Sequence, residues 1–381
     1  MKKKKEKYNV AIVGCGSMGV ENMFEGLSFP YSFFEAATKS SRAELVALID
    51  SDTKKLREIS DKLSGLGYGR FQEFPNLRTA IGETTIDIVC CAAGPKINSE
   101  VIRSAKLYGI KGVYCEKPLC LSLAEADELA EIEKNSGIKI QVNYLRNHDV
   151  HHRAVVEYIR KGGIGELLTV RVLYKGGVLA VFSHTSALLM TLFDKQLSAF
   201  GVYSPLLNTR CPEDPNIDGV LRYYFAPQSR EVNVQVTATG RGEMVNNTYL
   251  YEFEFTGTKE RITILENGWR TRYETMELSK VFAKFGELMP YDATIPPELK
   301  ADTPREFMVE GLNILLDAVE GGTATTCNAA FARDAEEAAH ALAISAAQFE
   351  TVALPLTDRT YAFANSRAGV KLLKEEAGIK S

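Results

Sequence analysis

Short apolar runs alternate with amphipathic stretches through the first 145 residues. Asn9 to Val13, Ala43 to Asp50, Phe71 to Phe74, Ile86 to Ala93, Gly112 to Cys115 and Ile138 to Val142 read as strands. Ile86 to Ala93, IDIVCCAA, shows no polar alternation, as a strand covered on both faces requires. Thr53 to Leu63, Ser99 to Tyr108 and Leu123 to Asn135 read as helices between them. Strand and helix in alternation predict right-handed βαβ units and a doubly wound parallel sheet. Later the pattern changes. Val232, Val234 and Val236 alternate with polar residues, which marks a sheet with one covered face. Leu167 to Tyr174, Arg222 to Phe225, Tyr249 to Phe255 and Arg261 to Leu265 are further expected strands. Val155 to Arg160, Ser186 to Phe193, Phe307 to Val319 and Ala330 to Phe349 are expected helices.

The first strand runs into Gly14, Gly16 and Gly19, spaced G-x-G-x-x-G, and a helix over Met18 to Leu27 is expected next. Gly14 permits a tight turn, Gly16 lets a pyrophosphate approach the backbone, and Gly19 lets helix and strand pack closely. With Ser17 and Met18 between the glycines, the free N–H groups at the helix start would hold phosphate charge. Asp50 ends the second strand, where a carboxylate accepts hydrogen bonds from the adenosine ribose. Asp52 adds negative charge and no arginine stands beside it, which favours NAD over NADP. The aromatic stretch Phe29 to Phe34 reads as an ordered insertion near the loop. Ala93, Gly94 and Pro95 end the next long strand and join the expected cofactor set.

Glu116-Lys117-Pro118 follows the strand Gly112 to Cys115. Ligands of open α/β sheets bind beyond the carboxyl ends of the strands, so Lys117 should point into the cofactor crevice. Near a positive nicotinamide ring its pKa should fall, which suits proton transfer from a hydroxyl. Glu116 is read as supporting the loop, and a plain surface ion pair with Lys117 is the alternative. His184, after GGVLAVFS, is the second candidate to accept a substrate proton.

These motifs, with Asn143 to Arg146 (NYLR), Gly162 to Glu166 (GGIGE) and Gly176 to His184, resemble the glucose–fructose oxidoreductase / inositol dehydrogenase (Gfo/Idh/MocA) family over nearly the whole chain. The resemblance implies a Rossmann domain over residues 1–145. It implies a second α/β domain over 146–381 with a large, mostly antiparallel sheet, its last helices free to pack back on the first domain. It implies a nicotinamide cofactor and hydride transfer at a secondary hydroxyl or keto group of a sugar, nucleotide-sugar or cyclitol. It further implies a homodimer or homotetramer built on the open sheet face. Lys117 matches the family lysine and His184 the motif histidine. Tyr144 would lie beside the nicotinamide, with Arg146 and His148 lining the substrate site. Lys175 could meet an anionic substrate group, and Asn246, Tyr249 and Trp269 could line the pocket. Two positions depart from the family pattern: Ala180 stands where an aspartate is common, and Ser99 where a histidine is common. They motivate the alternative of a non-catalytic nucleotide- and sugar-binding sensor. Direction of the reaction, oxidation or reduction, is left open.

Composition narrows the partners. The 381 residues carry a net charge of -4, which gives no footing for nucleic acid or an anionic membrane surface. The run Lys2 to Lys5 is read as a solvated tail. No apolar stretch is long enough to span a bilayer. Seven cysteines without a C-x-x-C pair suggest reduced core residues in a cytoplasmic protein. His148 and His152 stand one helical turn apart, yet no partner set for a metal accompanies them, so no metal is expected.

Overall fold

The structure is a computed structural model that describes residues 7–208, 211–239, 250–281, 283–299 and 305–363. Lys2 to Lys5, Asn246 and Tyr249 lie outside the described residues. The chain divides into two units, residues 1–149 with 304–333, and residues 150–303 with 334–381.

The first unit holds the strands β1 (Tyr8–Val13), β2 (Ala43–Ile49), β3 (Gln72–Phe74), β4 (Ile88–Cys91), β5 (Gly112–Cys115) and β6 (Lys139–Val142). They form a six-stranded sheet in the order β3-β2-β1-β4-β5-β6, and every pairing is parallel. This is the doubly wound topology that the alternation predicted, with its reversal between β1 and β4. The helices are α1 (Phe33–Lys39), α2 (Thr53–Gly65), α3 (Leu77–Glu83), α4 (Pro95–Tyr108), α5 (Leu123–Ser136) and the short α6 (Leu145–His148).

One expected helix is absent. Met18 to Leu27 forms turns and a 3-10 turn, Glu21–Glu25, closed by Gly26 in the left-handed region at φ 65°. Gly26 and Pro30 leave too few residues for a stable helix there. The regular helix comes later, inside the aromatic insertion. Ser32 caps it: its hydroxyl accepts from the Glu35 amide, and the Glu35 carboxylate accepts from Ser32 and from the Tyr31 amide. This S-x-x-E pair is a capping box. The first α1 amides, Phe33 and Phe34, donate to the carbonyls of Met18 and Gly19, tying the insertion to the glycine loop.

The second unit begins with α7 (Val150–Arg160), β7 (Leu167–Tyr174), a π-helical turn at Val178–Phe182 and α8 (Ser183–Leu192). The strands β8 (Lys195–Tyr203), β9 (Ile217–Phe225), β10 (Arg230–Ala238), β11 (Tyr251–Gly257), β12 (Glu260–Leu265), β13 (Arg270–Leu278) and β14 (Leu288–Asp292) follow. With β15 (Val352–Ala353) they form a nine-stranded sheet in the order β14-β13-β12-β11-β7-β10-β9-β8-β15. Among the described residues only β7 and β10 pair in parallel, and the other neighbours are antiparallel. One face buries Val170, Val172, Val232, Val234, Val236, Phe253, Phe255, Ile262 and Ile264, so side-chain alternation decides which residues meet the core.

The last two helices are α9 (Phe307–Gly321) and α10 (Ala329–Gln348). α9 packs on α1, α6, β5 and β6, and its Phe307, Met308, Leu312, Leu315 and Leu316 complete the core of the first unit.

Candidate functional site

The glycine loop leaves the carboxyl end of β1. Gly14 has φ 86°, and a Cβ there would stand 2.8 Å from the backbone of Ala92 and Ala93. Gly19 is more confined, since its Cβ would stand 1.9 Å from the Gly14 carbonyl oxygen. Gly16 is open: the nearest atoms to a Cβ are Lys55 Nζ at 3.7 Å and Glu21 at 3.9 Å. The amides of Gly16, Ser17, Met18 and Gly19 have no acceptor among the described residues, while their carbonyls are all engaged. A run of free N–H groups around an open glycine is a cradle for an anion, and it fits a pyrophosphate. The cradle here is made of loop amides, not of a long helix start.

Asp50 follows β2 and closes the loop from the side. One carboxylate oxygen accepts from the Cys15 amide at 2.8 Å, the other from the Asp52 amide at 3.0 Å. A carboxylate has about four lone-pair sites, so it retains capacity for ribose hydroxyls. Asp52 itself is the N-cap of α2. After β4, Gly94 (φ 98°) caps α4, and Pro95 occupies its first turn. α4 begins a turn earlier than its sequence pattern predicted, so Ser99 lies inside it, fully buried, with its hydroxyl on the Pro95 carbonyl.

Glu116-Lys117-Pro118 leaves β5 one strand further along, and the Lys117–Pro118 bond is cis. Asn98 of α4 holds this loop: its Nδ2 donates to the carbonyls of Glu116 at 2.7 Å and Pro118 at 3.1 Å. Sequence reasoning passed over Asn98, because a polar residue on an α4 turn reads as solvent-facing; here its exposure is 0%. Burial pushes the Glu116 carboxyl above the usual range, opposed by the charge of Lys117 and by a hydrogen bond from Asn143.

The residues after β6 are placed differently from one another. Tyr144 is fully buried, with its ring edge-on to Phe331. Arg146 is buried in α6 and lies near enough to Tyr31 to bear on its hydroxyl electrostatically. His148, expected at the substrate, is an interior residue: it is 1% exposed and its ring bonds with Gln141 and Tyr114. A four-residue helix after β6 turns it inward, under α9.

In the second unit Lys175 follows β7, is buried, and donates its amide to the Leu250 carbonyl. His184 is the second residue of α8 and half-buried. The turn before it is clamped by Asp214, whose two oxygens accept from the amides of Leu179 (2.7 Å) and Ala180 (2.8 Å). Gly177 makes room for that carboxylate, since a Cβ there would stand 2.0 Å from it. Thus a buried carboxylate does reach the Ala180 backbone, from a loop 34 residues along the chain that carries no motif. Trp269 is exposed. All seven cysteines are buried and free; burial pushes Cys15, Cys91 and Cys327 up to about 12. Among the described residues no cluster of three or more His, Cys, Asp or Glu could hold a metal ion, and no helix is long and apolar enough to cross a membrane.

Residues 8–144 match the model of the GFO_IDH_MocA oxidoreductase family, described as its NAD-binding Rossmann fold. Over these residues the chain is similar to the NAD-binding domain of the Gfo/Idh/MocA family. The matched residues form an NAD-binding Rossmann domain. The chain is 26% identical over 145 residues to inositol 2-dehydrogenase 3 of Saccharopolyspora erythraea, covering 38% of this chain and 41% of that one. It is 24% identical over 246 residues to inositol 2-dehydrogenase 1 of Mycolicibacterium vanbaalenii, covering 60% and 66%. The matches therefore span less than two thirds of these relatives' length. Among solved structures, levoglucosan dehydrogenase in complex with NADH and L-sorbose superposes with a TM-score of 0.69 at 17% identity, over 92% of this chain and 100% of that one. That likeness shows a shared fold.

Proposed function

We propose that the protein is an NAD-dependent oxidoreductase that moves a hydride between the nicotinamide and a secondary hydroxyl or keto group of a sugar, nucleotide-sugar or cyclitol. The observation that carries this reading is a convergence at one sheet edge. The loops after β1, β2, β4 and β5, with Gly16, Asp50, Gly94 and Lys117, all leave at carboxyl ends, around the point where strand order reverses. The relatives named as inositol dehydrogenases, and the sorbose-bound dehydrogenase of like fold, support a polyhydroxylated substrate.

Bound NAD would supply the hydride acceptor, or in reduced form the donor. The loop amides would hold the pyrophosphate, and Asp50 would accept from the ribose hydroxyls and disfavour a 2′-phosphate. Lys117 takes the hydroxyl proton as the carbinol hydrogen departs with its electron pair, so that hydride and proton leave separately and the carbonyl remains. His184 is the second proton-handling group and passes the proton to water. Buried, free cysteines support a reducing compartment such as the cytoplasm.

A panel of sugars and cyclitols incubated with NAD, read by the absorbance of reduced nicotinamide, tests the reaction. Lys117→Ala should abolish turnover and leave NAD binding measurable by calorimetry; full activity in that variant would remove Lys117 from the mechanism. Asp50→Ala should weaken NAD and relax rejection of NADP. Ala180 and Ser99 favour the second reading, a non-catalytic sensor. It would be supported by NAD and sugar binding with no reduced cofactor from any member of the panel.

A further inference from the structure

Five side chains of the first unit form one hydrogen-bonded line that ends beside Lys117, and the line starts from a backbone group that cannot turn round. The Cys327 amide donates to Gln141 Oε1 at 3.2 Å. That leaves Gln141 Nε2 facing His148 Nε2 at 2.6 Å. An amide nitrogen donates and does not accept, so His148 Nε2 is the acceptor and the ring proton sits on Nδ1. Nδ1 faces Tyr114 Oη at 3.5 Å, the longest link. The Tyr114 hydroxyl donates to Asn143 Oδ1 at 2.7 Å, which turns Asn143 Nδ2 onto Glu116 Oε1 at 2.5 Å. Each orientation follows from the one before it.

The packing around the line leaves little slack. α9 crosses it at Gly311, where a Cβ would stand 2.0 Å from Tyr114 Oη and 2.8 Å from His148 Nδ1. Met308 of the same helix offers its sulfur to Asn143 Nδ2 at 3.3 Å. His148 and Tyr114 are both buried, so the line is not a surface accident.

We propose that Tyr114 and His148 are positioning residues that lock the Asn143 amide with its donor end on Glu116, and so keep a carboxylate charge next to Lys117. The inference deepens the role proposed for Lys117 and rests on it. Cys90 on β4, Cys115 on β5 and Cys327 also bear on Tyr114, and Glu116 bears in turn on Tyr31 of the insertion and on Cys91 of β4; Glu100 on α4 acts on Cys91, and Arg146 acts on Tyr31. None of them fixes the amide. Released from Tyr114, Asn143 can turn its oxygen toward the carboxylate. Glu116, which burial already pushes up, then binds a proton more readily. Lys117 loses its neighbouring anion and gives up its own proton at lower pH.

The test needs no substrate. Lysines of the full chain, with NAD bound, are tagged by isotopic reductive methylation and titrated by NMR; the Lys117 signal is the one missing from Lys117→Arg. Tyr114→Phe and His148→Gln are each expected to lower the Lys117 midpoint by about half a unit to one unit, and Glu116→Gln by at least as much. Two variants on different elements guard against one failing to fold, and an NAD-dependent rise in melting temperature confirms the fold. An unmoved midpoint in a folded Tyr114→Phe or His148→Gln overturns the proposal, as does one in Glu116→Gln. A protein that oxidises no sugar but shows these shifts loses the proposed reaction and keeps the positioning role; turnover with unmoved midpoints does the reverse.

Discussion

A methyl group added at Gly19 would collide with the Gly14 carbonyl oxygen at 1.9 Å, whereas one added at Gly16 would meet only the ends of Lys55 and Glu21, at 3.7 and 3.9 Å. The two glycines of one motif therefore do different work. Gly19→Ala should destabilise the first unit by about 1–3 kcal/mol or more, because backbone cannot move aside as a side chain does. Gly16→Ala should leave the melting temperature near that of the parent and weaken NAD, because the methyl group occupies the approach of the pyrophosphate. Thermal denaturation and NAD titration of the two variants separate these outcomes. Equal loss of stability in both would remove the distinction. The reading of Gly14, Gly16 and Gly19 from spacing needed no knowledge of neighbours. His148 did, because a histidine's role depends on what surrounds its ring, and Gln141, Tyr114 and Gly311 are far from it in kind or in sequence.

Elements were legible where periodicity alone decides them. β5 and β7 have the predicted bounds, and the alternation of β10 appears as buried Val232, Val234 and Val236. The helix after the glycine loop was misplaced because the motif was allowed to outweigh local chemistry: Gly26 and Pro30 break Met18 to Leu27, while Ser32 and Glu35 announce a start at Phe33. β13 escaped notice, since its run RTRYETMEL turns charged residues to the open face. The clamp on the π-helical turn was hidden for another reason. Asp214 lies far along the chain from Leu179 and Ala180, and long-range partners leave no local pattern. Asp214→Asn keeps one acceptor but turns a donor toward an amide, so it should cost about 1–3 kcal/mol, read as a fall in melting temperature; an unchanged value would show that the clamp carries no load. A pH effect belongs at this scale too. The Glu133 carboxylate of α5 accepts from the amides of Ile140 and Ala329, and burial raises its carboxyl above the ordinary value. A raised carboxyl binds its proton more tightly in the folded state, so the stability it contributes is present at acid pH and lost as pH climbs through the raised value. Glu133→Gln should therefore gain melting temperature relative to the parent as pH rises from about 4 to 7. A constant difference across that range would mean the carboxyl does not titrate differently on folding.

At the scale of the whole molecule, the expected dimer or tetramer depends on the open sheet face of the second unit. That face is laced with ions. Arg171 pairs with Glu254 at 3.4 Å, Arg261 with Glu274 at 2.6 Å, and Arg272 with Asp292 at 2.9 Å, across adjacent strands. Leu173, on β7, and Val220 and Tyr224, on β9, are exposed on the same face. Because these charges are paired within the sheet, a second copy need not supply counter-charges, and it can bury the apolar residues beside them. The exposed pairs, Arg171–Glu254 and Arg272–Asp292, are worth about 0–1 kcal/mol each, and the pair to the buried Glu274 is made within one sheet, so an interface built here would draw its strength from those apolar residues and not from the ions. We propose a homodimer or homotetramer on this face. Light scattering after size exclusion should then give two or four times the chain mass, and that mass should persist in high salt, which screens charges and leaves apolar burial intact. Val220→Glu with Leu173→Glu should shift the species to monomer without lowering the melting temperature of the chain by more than a few degrees, because neither side chain belongs to the core. A monomer in the parent protein at working concentration would remove the oligomer. Association that vanishes in salt but survives the double substitution would place the interface elsewhere.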